Sequence, residues 1–249
     1  MRRIIFVLAL VGAIIALVSA AASAQEKKPA TTKLKSVKTT EVEHGATKVP
    51  PGKVLVDEEL LIGFVDEPAH HFGLARDYFM KKDYADAATE IRRAGGFVKL
   101  EMARAEAQSD DERVLSDAVV SLGMLADDVQ KGEVKSADRL DDVFAHTEQA
   151  LAYHHELKAE EYWKAENHKS AGQDLRAATV HLENSMSYAG EKTEKDTDEA
   201  IRDARDIGDK LADGAALAAD KVGKAMQQLG KKIEEAGRKM KQERIQQKK

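Results

Sequence analysis

After residue 57, apolar residues recur every three to four positions over most of the chain, the spacing of a helix with one buried face. Ala87, Ile91, Ala94, Val98 and Met102 form one such stripe, and Phe144, Leu151, Leu157 and Tyr162 form another. Capping residues cut the pattern into elements. Asp57 is placed to cap a short apolar segment, and Pro68 restarts the helix that carries His70 to Met80. Asp83 caps the next helix, which Gly95 and Gly96 weaken at its middle. Ser109 with Glu112 makes a capping box for a third helix ending near Gly132. Ser136 opens a long fourth helix, and Asn167 caps a fifth that runs to Gly190. From about Thr197 the stripe continues through Leu211, Val222, Met226, Leu229, Ile233 and Met240, which predicts one long amphipathic C-terminal helix over 191–249. Gly223, Gly230 and Gly237 recur every seven residues beside that stripe, a pattern suited to close helix approach. The expected fold class is all-α: a bundle of long helices over 57–190, plus the C-terminal helix.

The bundle contains a repeat. "HHFGLARDYF" at 70–79 returns as "HHELKAEEYW" at 154–163, and without gaps residues 70–105 align with 154–189. Ala75/Ala159, Tyr78/Tyr162, Ala87/Ala171, Arg92/Arg176 and Met102/Met186 are identical, and Asp83/Asn167 are both helix caps. A duplicated helix hairpin accounts for this.

The spacing His71-x2-Leu74-Ala75-x2-Tyr78, then Ala87-x3-Ile91 and Ala94, resembles the tetratricopeptide pattern; His155, Ala159, Tyr162, Ala171, Leu175 and Ala178 repeat it. Histidine stands where that pattern has tryptophan, Lys158 replaces its leucine, and no proline closes either unit. The resemblance implies helix hairpins used for packing or protein contact. The stretch "ARDYFMKKDYADAATEIRRAGGFVKLE" is also similar to part of the YfdX family of small exported helical proteins. That likeness implies an envelope protein tied to stress tolerance, with no catalytic residues.

The ends change the picture. Arg2 and Arg3, an apolar run from Ile4 to Val18 and Ala22-Ser23-Ala24 predict a signal peptide over 1–24 and a periplasmic or extracellular product, with retention as an uncleaved anchor the alternative. Residues 25–56, rich in Lys, Thr and Pro, are expected to form a disordered basic tether. The chain has no cysteine, which removes disulfides, thiolate metal sites and cysteine nucleophiles. A net charge of −5 argues against nucleic-acid binding.

Four of the eight histidines lie in the repeat, at His70, His71, His154 and His155. Packing of the hairpins about a pseudo-twofold axis would bring His71 and His155 together, where neutral imidazoles bind a transition metal or haem iron. The competing expectation is one histidine of each pair bonded in the core and the other solvated. No HExxH, nucleophile elbow or phosphate loop is present. The expected function is therefore non-enzymatic and without cofactor: protein contact, envelope protection or scaffolding, with a metal- or haem-binding protein as the alternative. Leu211, Val222, Gly223, Met226, Leu229, Gly230, Ile233 and Gly237 are the expected contact residues, for a protein partner or a second copy. The basic end of the tail adds weak contact with an anionic membrane surface as a further role.

Overall fold

The computed structural model describes residues 4–7, 53–56, 64–106 and 108–247. Residues 5–55 form one unit, and residues 1–4 with 56–249 another. Two four-residue strands, β1 (Ile4–Val7) and β2 (Lys53–Val56), pair in a two-stranded sheet. The last residues of the expected tether are thus a strand. The rest of the expected leader and tether, and the Asp57 cap, lie outside the described residues.

The larger unit is an all-α bundle. Its described helices are α1 (Glu67–Met80), α2 (Tyr84–Met102), α3 (Asp110–Gln130), α4 (Asp138–Lys164), α5 (His168–Tyr188), α6 (Lys195–Ala212) and α7 (Ala219–Gln247). Among the described residues no helix is long and apolar enough to cross a membrane.

The expected caps form. Pro68 sits in the first turn of α1, where its missing N–H costs nothing. Ser109 Oγ accepts from the Glu112 amide at 3.0 Å, and the Glu112 carboxylate reaches back to the Gln108 amide at 2.5 Å. Gly132 and Gly190 take φ of +71° and +66° and stop α3 and α5. α2 runs as one helix through Gly95–Gly96, and one boundary differs from expectation: α4 begins after Ala137 with no side-chain cap, not at a Ser136 cap.

The repeat extends to the backbone of the turns. In the first hairpin Lys82 lies at φ +64° and Asp83 at −87°; in the second Glu166 lies at +58° and Asn167 at −86°. Asp83 N donates to Tyr78 O at 2.9 Å, and Asn167 N to Tyr162 O at 2.9 Å. Each cap side chain then accepts from the amide three residues on, Asp86 or Ser170. The same two-helix unit is therefore built twice, as α1–α2 and α4–α5, with α3 between them.

Two apolar clusters fill the bundle, and α4 contributes to both. Phe72, Ile91, Leu122 and Phe144 belong to the first; Leu175, Leu182, Ile207 and Leu229 belong to the second. Phe72 stacks on Phe144 with centroids 4.2 Å apart.

The tail departs from the single helix expected over 191–249. Gly214, at φ +84°, ends α6, and α7 starts five residues later. Both helices pack on the hairpin. α6 lies so close to α5 that a Cβ on Gly172 would stand 2.5 Å from Ala212 N and 2.6 Å from Gly208 O. α7 lies antiparallel across α4, with Gly230 over the Glu156 carboxylate and Gly237 over the Gln149 amide, while Gly223 has open space. Leu211, Val222, Met226, Leu229 and Ile233 are all buried in the second cluster. These five residues, expected to face a partner, are spent inside the chain, because α4, α5 and α6 supply the apolar surface that their stripe needs; Gly223 alone of the expected set stays exposed.

Candidate functional site

The two hairpins place their histidines alike. His71 Nδ1 lies 2.6 Å from Glu90 Oε2, and His155 Nδ1 lies 2.7 Å from Asp174 Oδ1; in each case the acid is 19 residues further on. His71 stacks on Phe97 at 5.5 Å, and His155 on His181 at 5.1 Å, again at equivalent positions. His71 and His155 make no contact with each other among the described residues. Each is closed onto the acid of its own hairpin, so the pseudo-twofold site expected between them does not form.

The pairs differ in their second member. His70 is exposed, with its ring set edge-on to that of His71 at 5.5 Å, so the first pair is one bonded and one solvated histidine. His154 is fully buried beside His155. Its Nδ1 is 2.8 Å from Asp111 Oδ2 on α3, and its Nε2 is 3.3 Å from Glu101 Oε2 on α2. Both histidines of the second pair point into protein because α2 and α3 supply acids on that side.

Around them lies a network that no solvated face would need. Arg104, 3% exposed, donates through Nη1 to Glu101 at 2.7 Å and through Nη2 to both Asp174 oxygens at 2.9 Å. His181 Nδ1 is 2.6 Å from Glu148 Oε2, both side chains being buried. Glu101, Arg104, Asp111 and Glu148 thus join the two pairs as site residues missed from the sequence, beside His181, which the metal-binding alternative includes as a further ligand.

Electrostatics follow from this packing. Burial disfavours charge on Glu101, yet Arg104 and the imidazoles of His154 and His155 outweigh it and hold the carboxyl well below its usual range. Burial likewise opposes charge on Asp174, and Arg104 with His155 overcomes it. The two adjacent histidines are driven apart. Burial lowers the His154 pKa, but its bonds to Asp111 and Glu101 more than reverse that. His155 is pulled down to about 4, because burial exceeds the help of Asp174 and Glu101. Its Nε2, and that of His181, are buried with no hydrogen-bond partner.

A second place on the molecule is open. α3, α4 and α7 enclose a cleft of about 480 Å³, floored by Val143, His146 and Ala150 of α4 and flanked by Ala118 and Met124 of α3 and Met240 of α7.

The chain matches no family model, no curated protein and no solved structure. Function must therefore be argued from these two places.

Proposed function

We propose that this chain is an exported, non-enzymatic protein that works by protein contact, holding an amphipathic helical segment of a partner in the cleft between α3 and α7. Protection or scaffolding of envelope components is the setting this reading implies. The observation that carries it is the cleft itself, whose volume of about 480 Å³ lies within the range of preformed binding sites. Met124 on its wall and Val120, one turn away, are 55% and 56% exposed. Asp117, Asp142, Arg139 and Lys241 line it without ion pairs among the described residues, so an occupant with an apolar stripe flanked by both charges is complementary. The buried imidazoles support a non-catalytic reading, since His154, His155 and His181 are at most 1% exposed and offer no substrate access.

The test uses a fluorescent amphipathic helical peptide with a leucine stripe flanked by Glu and Lys. Anisotropy should show binding to the full chain that falls at least about tenfold in Ser121→Trp, which fills the cleft from its wall, with circular dichroism unchanged. Equal affinity for both proteins would remove the cleft from this role.

A further inference from the structure

α7 is tied down on one side by charge and seated on the other over an acid. Lys232 bonds Asp196 at 2.5 Å and Lys239 bonds Glu191 at 2.8 Å, which fastens α7 to α6 and to the turn before it. On the α4 side stands Glu156. It is 7% exposed, and among the described residues it has no hydrogen bond or ion pair. Its Oε1 fills the notch of Gly230, where a Cβ would come within 2.7 Å. The charged and titratable groups that face it are Tyr153, Glu160 and Lys164 on its own helix and Glu234 on α7. Lys164 is spent on Glu160, 2.7 Å away, so no cation bonds Glu156 itself. A carboxylate buried in this way is costly, and ionisation therefore works against the seated helix.

The architecture lets α7 leave without taking the bundle apart. Val222, Met226, Leu229 and Ile233 belong to the second cluster, and no α7 residue joins the first. Its connection to α6 runs through the exposed residues 213–216, turned by Gly214 at φ +84° with open space where a Cβ would stand.

We propose that α7 is a pH-governed strap, seated on α4 while Glu156 holds its proton and loosened from it, with the first cluster intact, once Glu156 ionises. Seating raises the proton affinity of the carboxyl, from 4.5 to about 7, so protons favour the seated state. That advantage is complete below the exposed value and lost as pH rises through the seated one. The strap also forms a wall of the cleft through Gly237, Met240 and Lys241. On the reading of that cleft as a partner's site, loosening at neutral pH widens it and seating in acid narrows it.

The experiment is hydrogen exchange of the full chain, read by mass spectrometry from about pH 5 to about pH 7.5 and corrected for the intrinsic rate at each pH. Central α7 amides, 226–236, should exchange at least about tenfold ahead of those of α2, because they open without the first cluster. Their protection should fall on the order of 50-fold across the interval, the factor that a carboxyl moving between 4.5 and about 7 supplies. In Glu156→Gln the α7 profile should be nearly flat. Glu234→Gln, which removes the facing charge from α7, should reduce the fall without abolishing it. Protection of α7 equal to that of α2 overturns the proposal, since α7 then opens only with the whole bundle. So does the same pH dependence in the parent and Glu156→Gln. No occupant of the cleft is needed, so this result stands apart from the role given to the cleft.

Discussion

Replacing Glu156 by glutamine separates one buried carboxyl from everything else that titrates in the bundle. Glu156 is 7% exposed on α4, under the notch that Gly230 leaves in α7. Burial, then the neighbouring Glu160 and the Glu234 of α7, push its pKa from 4.5 up to about 7, against a smaller opposing pull from Lys164. A carboxyl whose pKa rises on folding stabilises the fold where it is protonated, and that stabilisation is lost as pH rises through the folded value. For a rise from 4.5 to about 7, the loss between about pH 5 and about pH 8 comes to roughly 2–3 kcal/mol. Glutamine keeps the shape and cannot ionise. Urea unfolding of parent and Glu156→Gln at several pH values should therefore show the variant gaining on the parent by about that amount across the interval. The comparison cancels the other groups, including His154, which titrate in both proteins. A stability difference that stays constant from about pH 5 to about pH 8 would refute the argument.

Two further substitutions probe the packing. Gly172→Ala gains helix propensity, yet its Cβ meets backbone atoms of α6 at 2.5 and 2.6 Å, which cannot rotate away; thermal unfolding should show a net loss near the top of the roughly 1–3 kcal/mol range for overpacking. Arg104→Met leaves Glu101 and Asp174 buried without their shared cation, and denaturant unfolding at neutral pH should show a loss of about 3–5 kcal/mol, partly recovered on acidification as those carboxyls protonate.

Much of the fold was legible because its turns are written in local chemistry. Asp83 and Asn167 announce the same turn, and Gly132 and Gly190 announce the stops. The break between α6 and α7 was not legible from periodicity, since Leu211, Ala215, Ala218 and Val222 hold the helical spacing straight across it. Only Asp213-Gly214 marked it, and a lone glycine in a helical pattern is a weak stop signal.

The site divides in the same way. The bond from His71 or His155 to an acid 19 residues on is a product of hairpin geometry, and the repeat alignment already held both acids. Glu101, Arg104 and Asp111 were hidden because charged residues with opposite charges three or four positions away usually mark solvated faces. Here Glu101 and Arg104 are such a pair, three apart, and both are buried. Glu148 was hidden differently: it precedes the stretch over which the repeat is recognisable. Phe97 opposite His181 was visible as a mismatch within the repeat.

The antiparallel course of α7 along α4 also fixes an order of events during synthesis. Gln149 and Glu156 leave the ribosome long before Gly237 and Gly230, the residues that cover them. Until the last helix emerges, one side of α4 lies bare, and the second apolar cluster lacks Val222, Leu229 and Ile233. The first cluster needs no residue of α7 and can close earlier, so the two halves of the bundle are completed in sequence, the second only once α7 is available to cover α4.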